Sequence, residues 1–199
     1  MSKYDVVIVG GGVSGLSCAI TLGSGATKLD YVKDKKVLVI DAGKSHLKAA
    51  KLFNAAGVDS GKPGIEVLAS LKERAAAYDN VELLDGTVVS VSGTKGAFTV
   101  KTEDASFEAA LVVFAPGMAT ISIEGIGANV VDHKRAPKPN MLMIENTDGI
   151  VADGKYVTGV ANGASSMFTT AAGFGAQTAT DIISSWTDKY VVIHDVNVA

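Results

Sequence analysis

The stretch "YDVVIVGGGVSGLSCAITL", residues 4–22, decides how this chain folds. Its first part is a continuous run of β-branched apolar residues, which is typical of a strand buried on both faces of a parallel sheet. Three glycines follow, and beyond Gly15 the apolar residues are spaced as in a helix. A second apolar run, "KVLVIDAG" at residues 36–43, completes a βαβ unit and ends near Asp41. The order strand, glycine turn, helix and strand predicts an α/β fold.

The glycines of this unit occupy the positions of a dinucleotide-binding turn. Gly10, Gly12 and Gly15 fall in the pattern GxGxxG. The first glycine permits a tight turn, the second lets the backbone approach a pyrophosphate, and the third lets helix and strand pack closely. The helix N-terminus then faces the anion, and Asp41 can accept hydrogen bonds from a ribose. Because the flanking elements and the acid are present, the motif predicts a bound dinucleotide rather than a turn that binds nothing.

Composition argues against several other classes of protein. The chain has 199 residues, of which 47% are hydrophobic, which is ample for one well-buried core. With 20% charged residues and a net charge of −3, it shows no basic stripe or polybasic run, so neither nucleic acid nor a membrane surface is expected as a partner. The N-terminal apolar run is too short to span a bilayer and has no signal-cleavage pattern, which predicts a cytoplasmic protein.

Cysteine and histidine usage predicts neither a disulfide nor a metal site. Cys18 is the single cysteine, and it falls inside the first helix, where a small buried side chain is expected rather than a reactive thiol. The histidines, His46, His133 and His194, lack metal-ligand spacing. His133 and the two basic residues after it form either a solvated charge cluster or a contact for an anionic partner. Any redox chemistry must come from a bound cofactor or a partner.

The middle of the chain distinguishes FAD from NAD as the dinucleotide. After a helix-like segment at residues 64–78, strand-like runs follow closely at 81–93, 97–103 and 107–117. This spacing predicts antiparallel strands inserted after the second parallel strand, with the last run returning to the parallel sheet. An NAD-type dehydrogenase would continue with alternating helices and parallel strands. FAD-binding domains of flavoproteins with two dinucleotide sites are organised with such an insertion, so the inserted strands favour FAD as the cofactor.

These segments, with "DGKYVTGVANGASSMFTTAAGFGAQTATDII" at residues 153–183, resemble the FAD-binding half of thioredoxin reductase-like flavoproteins, in the pyridine nucleotide-disulfide oxidoreductase superfamily. The resemblance covers about residues 4–186. It implies a single FAD-binding domain over residues 1–186: a Rossmann-like central parallel sheet with helices and an inserted antiparallel β-meander. Residues 187–199 form an apolar tail, which is expected either as a frayed end or as an edge strand, in its own sheet or in that of a second copy, giving a homodimer.

The resemblance also assigns the FAD-binding residues by position. The glycine turn would hold the pyrophosphate, Asp41 the adenosine ribose, and Val88 would lie beside the adenine. Asn54 would approach the isoalloxazine, and the helix after Met167 would point its N-terminus at the flavin. No catalytic side chain is expected, because the chemistry would be centred on the flavin. The complete set is Gly10, Gly12, Val13, Ser14, Gly15, Asp41, Ala42, Gly43, Asn54, Val88, Ala115, Pro116, Gly117, Gly159, Val160, Asn162, Met167, Phe168, Thr169 and Thr170.

Charge stabilisation supports the assignment of the last helix independently. Reduced flavin is negatively charged near N1 and O2, and N–H groups at a helix N-terminus stabilise such charge. The hydroxyls of Ser165, Ser166, Thr169 and Thr170 are candidate caps for this helix. The alternative is an ordinary capped helix that only covers the sheet.

Two departures from the superfamily pattern limit the expected activity. Where relatives have Gly-Asp, with the carboxylate bonded to a ribityl hydroxyl, this chain has Gly159 and Val160. Either Asn162 supplies a substitute contact, or the flavin is held more weakly, exchanges, or has been lost. Residues 118–153 contain no second glycine fingerprint, so the NAD(P)H domain is expected to be absent, and the chain has no CxxC. It is therefore not expected to be a CxxC thioredoxin reductase.

Two functions remain from the sequence. In the first, the protein is an FAD-dependent oxidoreductase or electron-transfer subunit that takes electrons from diffusible NAD(P)H or from a redox partner protein. In the second, it binds FAD or another nucleotide without turnover, as a sensor, scaffold or regulatory subunit.

Overall fold

The computed structural model describes residues 3–118, 121–136, 138–187 and 189–194. There are three α-helices, α1 (Val13–Lys28), α2 (Gly64–Ala76) and α3 (Phe168–Ser185), and two 3-10 helices, His46–Ala49 and Gly159–Asn162. The strands are β1 (Lys3–Val9), β2 (Val37–Asp41), β3 (Lys51–Leu52), β4 (Lys62–Pro63), β5 (Val81–Asp85), β6 (Val88–Thr94), β7 (Ala97–Thr102), β8 (Ser106–Phe114), β9 (Val130–Asp132), β10 (Leu142–Ile144), β11 (Ile150–Ala152) and β12 (Lys155–Val157).

The central sheet has the strand order β11-β12-β8-β1-β2-β5. The strands from β12 to β5 are parallel, and β11 pairs antiparallel with β12 at one edge. On the side away from β1, β8 pairs twice: residues 106–109 are antiparallel to β7, and residues 112–114 are parallel to β12. β6 pairs antiparallel with β7 and completes the meander. The predicted α/β fold with an inserted antiparallel meander is confirmed.

The first strand after α2 differs from its prediction. The run at residues 81–93 is expected to be antiparallel, but it divides at Gly86 into two strands with different partners. The earlier strand, β5, is parallel to β2 and forms the edge of the central sheet. A strand that follows a crossover helix returns parallel to the strand before that helix, and β2, α2 and β5 are such a unit. Only β6, β7 and the start of β8 form the antiparallel insertion.

The helix α1 is longer than its apolar spacing predicts. Residues 23–28 continue the helix, so the connection to β2 is confined to residues 29–36. Two glycines lie in this last part of α1 because neighbours approach too closely for side chains. Gly23 faces the ring of Tyr78, and Gly25 faces the side chain of Ile183.

The three helices cover one face of the sheet. Buried side chains of α1 and α3, such as Leu16 and Ile182, pack there against Ile8 of β1. The contact between α1 and α3 is close, because a Cβ on Gly175 of α3 would overlap the carbonyl oxygen of Ser14 in α1. Gly175 lies beside the start of α1, whereas Ile183, later in α3, lies beside the later part of α1. The two helices therefore run parallel.

The meander and residues 121–144 cover the other face of the sheet. Ile121, Ile126 and Ile144 are buried in the core cluster that contains Phe98 of β7 and Val7 of β1. The backbone of this segment also pairs with β6, and β9 and β10 form a separate antiparallel pair. Within the described part of this segment there is no helix. We call residues 121–144 the cover segment.

The described part of the tail, residues 189–194, does not form the predicted edge strand. Val191 and Ile193 pack against the helix-side core. The N–H of Val191 donates to the hydroxyl of Ser184 (2.9 Å), and Nζ of Lys28 donates to the carbonyl oxygen of His194 (2.7 Å). The apolar side chains of the tail therefore cover α1 and α3, which separate them from the sheet. Residues 195–199 lie outside the described part of the chain.

The packing of α1 on α3 can be tested with two Gly→Ala variants of the same helix. Gly175→Ala is expected to lower the free energy of unfolding by about 1–3 kcal/mol, because the new methyl group would overlap the Ser14 carbonyl oxygen. Gly173→Ala is the matched control: it faces open space, so it should stabilise α3 by up to about 1 kcal/mol through helix propensity. Urea denaturation measures both, and equal stabilities of the two variants would contradict the close parallel packing.

Candidate functional site

The C-terminal ends of the parallel strands meet at one edge of the sheet. β1 ends just before Gly10, β2 ends at Asp41, β8 ends just before Ala115, and β12 ends two residues before Gly159. In open α/β sheets ligands bind in the crevice outside this edge. The structure therefore brings together predicted residues from four separate parts of the chain: residues 10–15, 41–43, 115–117 and 159–160.

The three glycines of the N-terminal turn have different surroundings. Gly10 has φ +117°, and a Cβ there would overlap the carbonyl oxygen of Ala115. A Cβ on Gly15 would overlap the carbonyl oxygen of Gly10, so both glycines are required by packing inside the protein. Gly12 differs, because the nearest atom to its Cβ position is Oγ of Ser45 at 3.7 Å. The turn thus leaves open space beside Gly12, where a ligand can approach the start of α1.

Two helix N-termini at this edge have no side-chain cap. The N-cap of α1 is Gly12 and that of α3 is Met167, and neither first turn contains an acidic residue. The first N–H groups of a helix have no partner within the helix, and they carry part of the positive end of its dipole. Both N-termini are therefore able to bind negatively charged groups.

The predicted hydroxyl caps of α3 are wrong. Met167 is the extended residue before the helix (φ −127°), and no side chain caps it. Ser165 lies outside, because its carbonyl oxygen accepts the N–H of Met167 in a tight turn (2.7 Å). Thr169 and Thr170 are already inside the first turn, past the position from which a cap acts. The absence of a cap leaves the backbone N–H groups of this turn available.

The two N-termini lie side by side at this edge. Gly175 of α3 packs against Ser14 near the start of α1, and Oγ of Ser17 donates to the carbonyl oxygen of Ala172 (2.7 Å). α1 begins at Val13 and α3 at Phe168, so these contacts fall in the N-terminal half of each helix. The edge therefore presents two electropositive positions, one at each helix.

The C-terminal glycine motif packs directly on the first helix. Gly159 has φ +66°, and a Cβ there would meet the side chain of Ser14. Val160 follows it, half-buried, in the second 3-10 helix. Its side chain has no hydrogen-bonding atom, so it cannot make the ribityl contact that the resemblance assigns to an aspartate.

Two residues of the predicted charge cluster brace this 3-10 helix from the cover segment. Nε2 of the buried His133 lies 2.9 Å from the carbonyl oxygen of Val160, and Nδ1 accepts the N–H of Arg135 (3.0 Å). We assign the imidazole proton to Nε2 from these partners. Nη1 of Arg135 donates to the carbonyl oxygen of Gly163 (2.6 Å). His133 and Arg135 are thus structural: they bond to the backbone of this 3-10 helix and of the glycine that ends it. For Lys134, which lies between them, no such bond is found in the described residues.

Asn162 is separated from the other predicted residues. Its Nδ2 donates to the carbonyl oxygen of Val157 (3.2 Å). It lines a cavity of about 560 Å³ together with residues of the cover segment, α3 and the tail. No other predicted site residue lines that cavity. This placement does not support Asn162 as a substitute for the missing aspartate.

The predicted ribose-binding acid, Asp41, is already held by the protein. Its Oδ1 accepts the N–H groups of Gly11 (3.3 Å) and Gly43 (3.0 Å), and Nζ of Lys72 lies 2.7 Å from Oδ2. Burial acts to raise the pKa of this carboxyl, but Lys72 and the backbone donors outweigh it and hold the pKa below its ordinary value. A small cavity of about 210 Å³ adjoins the pair.

Lys72 is not among the predicted site residues. The signal available was its place on α2: Leu68, four residues earlier, and Ala75, three residues later, are both buried. Residues at these spacings share one helix face, so Lys72 is a charged residue on the face that packs inward. Such a residue requires a counter-charge, and Asp41 is the acid at the end of the neighbouring strand.

The remaining predicted residues lie at the two ends of this edge. Phe168 packs on a small cluster with Leu52, which brings the loop after β3, carrying Asn54, beside the start of α3. Asn54 and Met167 are exposed. Val88 is buried in the meander-side core, so a ligand there would meet its backbone and not its side chain. Val13 is also buried, within the first turn of α1.

Other kinds of site find no support in the described residues. Across residues 3–118, 121–136, 138–187 and 189–194, no three histidine, cysteine or acidic side chains are grouped as metal ligands. Cys18 is fully buried, and burial raises the pKa of its thiol far above the ordinary value, as expected for an unreactive core residue. None of the helices in the described part of the chain is long and apolar enough to cross a membrane.

Comparison with solved structures shows the fold. A thioredoxin reductase from Gloeobacter violaceus has a TM-score of 0.75 at 13% sequence identity, with 99% of both chains covered. An oxidoreductase from Agrobacterium tumefaciens has a TM-score of 0.73 at 16% identity, covering 92% of this chain and 98% of that one. A ferredoxin-flavin thioredoxin reductase from Clostridium acetobutylicum has a TM-score of 0.70 at 16% identity, covering 95% and 100%.

Sequence comparison gives a more direct assignment. No curated protein matches the chain. The family model described as "Pyridine nucleotide-disulphide oxidoreductase" matches residues 4–151, which is most of the chain and includes the glycine turn, Asp41 and the meander. This chain therefore belongs to the pyridine nucleotide-disulphide oxidoreductase family and has a thioredoxin reductase-like fold.

Proposed function

We propose that this protein is an FAD-binding oxidoreductase or electron-transfer subunit that depends on an external electron donor. One observation carries the proposal: two parallel helices present uncapped N-termini at the same edge of the sheet. FAD has negative charge at two separated places, its pyrophosphate and, when reduced, the pyrimidine end of the flavin. Two electropositive helix N-termini match a ligand of this kind better than a ligand with a single charged group.

The residues of this edge fit FAD with one exception. The backbone around Gly12 and the first N–H groups of α1 would bind the pyrophosphate, and Asp41 would accept a ribose hydroxyl. The first N–H groups of α3 would stabilise negative charge on the flavin. Bound FAD would supply hydride or single-electron transfer. The exception is Val160, which offers no acceptor to the ribityl chain.

The donor must come from outside the described fold. The cover segment packs as part of the core on one face of the sheet. Its described residues contain no second unit in which a strand, a glycine turn and a helix follow one another. Diffusible NAD(P)H or a redox partner protein would therefore supply the electrons. The chain has one cysteine, and it is buried, so we propose that the protein is not a CxxC thioredoxin reductase. A homodimer and a cytoplasmic location remain predictions.

The alternative is an FAD- or nucleotide-binding sensor, scaffold or regulatory subunit without turnover. Val160 favours it, because losing the ribityl contact removes one hold on the flavin half of the cofactor but none on the ADP half. A protein that binds mainly the ADP half would retain nucleotide binding after losing redox function.

A spectroscopic titration distinguishes these functions. The purified protein is loaded with FAD and titrated anaerobically with NADH, NADPH and dithionite, and then with ferricyanide as acceptor. A redox module should bleach with at least one reductant and recover with the acceptor. FAD that stays bound but is not reduced would favour the non-catalytic alternative, and protein that takes up no FAD would overturn the redox function and leave only the binding of another nucleotide.

The substitution Gly12→Ala should separate cofactor binding from folding. A methyl group at this position meets only open space and the Ser45 hydroxyl at 3.7 Å, so stability should change by less than about 0.5 kcal/mol. The same methyl group would obstruct a pyrophosphate approaching the backbone, and FAD affinity should fall about tenfold or more. Fluorescence titration and thermal melting measure the two effects. Gly15→Ala, which overlaps the Gly10 carbonyl oxygen, should by contrast destabilise the fold.

Restoring an aspartate tests the reason for weak flavin binding. Val160→Asp would supply an acceptor for a ribityl hydroxyl, and a hydrogen bond to a charged group contributes about 1.5–3 kcal/mol. FAD affinity should therefore rise about tenfold or more. ADP, which has no ribityl chain, serves as the control ligand, and its affinity should not increase. An equal gain for both ligands, or no gain for FAD, would contradict the assigned position of Val160.

A further inference from the structure

The ion pair between Lys72 and Asp41 is the strongest feature with no assigned role. Nζ of Lys72 lies 2.7 Å from Oδ2 of Asp41. The Asp41 side chain is 11% exposed and that of Lys72 is 33% exposed. The pair therefore lies at the rim of the interior, where the charges are screened less than at an open surface.

The carboxylate of Asp41 is held from both sides. Its Oδ1 accepts N–H groups from Gly11 and Gly43, which uses both lone pairs of that oxygen. Its Oδ2 has no surface exposed to solvent and faces Lys72. Because a carboxylate oxygen has two lone pairs, Oδ2 keeps one position for a ribose hydroxyl. A cavity of about 210 Å³, lined among others by Gly11, Asp41 and Lys72, adjoins this carboxylate.

Gly11 makes this arrangement compact. A Cβ on Gly11 would lie 2.6 Å from both Cβ and Cγ of Asp41, so the carboxylate packs directly on the glycine turn. It consequently lies close to the N-terminus of α1, where a pyrophosphate would bind. An uncompensated negative charge at this place would repel such a ligand, and Lys72 offsets that charge.

Other charged groups around Asp41 are few in the described structure. Asp85, at the end of β5, is its register partner on the neighbouring strand and is exposed. Lys48 reaches the same loop, but its Nζ donates to the carbonyl oxygen of Gly43 (2.7 Å) and not to the carboxylate. The first turn of α1 contains no charged residue. Lys72 is thus the cation found in direct contact with Asp41.

We propose that Lys72 is a positioning residue of the adenosine end of the site: it fixes the Asp41 carboxylate as the ribose acceptor and offsets its charge beside the pyrophosphate. The inference rests on the proposed function and deepens it, because it assigns a residue of α2 to recognition of the nucleotide half of FAD.

Removing Lys72 has a defined consequence for pH dependence. Burial is the largest influence on the pKa of Asp41 and acts to raise it, so without Lys72 that pKa should rise. A protonated carboxyl loses its negative charge and part of its ability to accept hydrogen bonds. Above the raised pKa the variant should bind nucleotide more weakly than the unmodified protein, because the charge of Asp41 is not offset, and its preference for a ribose hydroxyl should weaken as pH falls through that pKa. In the unmodified protein the lowered pKa keeps Asp41 ionised over the same range.

The test uses ADP as the probe, because it contains the nucleotide half without the flavin. Isothermal titration from pH 5 to pH 8 compares the unmodified protein with Lys72→Met, Lys72→Arg and Lys48→Met. In Lys72→Met, the ratio of the ADP affinity to that of the unmodified protein should change with pH around the raised pKa, whereas titration of the ADP phosphate affects both proteins equally. Lys72→Arg keeps the charge and should behave as the unmodified protein does. Lys48→Met removes a nearby charge that does not contact Asp41, so the ratio of its ADP affinity to that of the unmodified protein should not change with pH.

A second ligand reports on the ribose contact itself. The unmodified protein should bind ADP more tightly than 2′,3′-dideoxy-ADP, and Lys72→Met should narrow this difference at low pH. If Lys72→Met melts at a much lower temperature than the unmodified protein, Lys72→Gln replaces it with the same expectation. A pH profile parallel to that of the unmodified protein, together with an unchanged preference, in a folded Lys72 variant would overturn the positioning role. Failure of the unmodified protein to bind both FAD and ADP would instead overturn the proposed function.

Discussion

The close contact of α3 and of the second 3-10 helix with Ser14 of α1 is the constraint on which the rest of the site depends. Gly175 of α3 lies against the carbonyl oxygen of this residue, and Gly159, after β12, lies against its side chain. Both neighbours must lack a Cβ, because either methyl group would overlap an atom of Ser14. This contact fixes the position of α3 beside α1, and so the distance between the two electropositive helix N-termini. Sequence segments about 150 residues apart are thereby joined into one ligand-binding edge.

The cover segment stabilises the same edge from the opposite face of the sheet. Its apolar side chains complete the meander-side core, while His133 and Arg135 bond to the backbone of the 3-10 helix that carries Val160. The cover segment thus has a definite packing role, at the place in the chain where relatives are expected to carry a nicotinamide domain. They hold the C-terminal glycine motif in position against α1.

Much of this architecture could be predicted from the sequence, since its main signals are local. The buried β-branched run, the glycine turn and the acid at the end of β2 follow one another within a few dozen residues, and the structure keeps that order. Features that depend on distant partners were not predictable. The length of α1 follows from Tyr78 and Ile183, which pack on its glycines, and the uncapped start of α3 follows from a tight turn. The pairing of Lys72 with Asp41 requires knowing that α2 crosses back over the end of β2.

The pairing of β8 with β1 affects how the chain can reach this fold. Val7 of β1 is paired with Val112 of β8, so the centre of the sheet joins residues 105 positions apart in sequence. Such high contact order slows folding, because a long loop must close before the pairing contributes any stability. During synthesis from the N-terminus, the βαβ unit that contains the glycine turn exists before β8 has been made. One side of β1 is then an open edge of apolar, β-branched residues, which is the kind of surface that promotes aggregation until the later strand covers it.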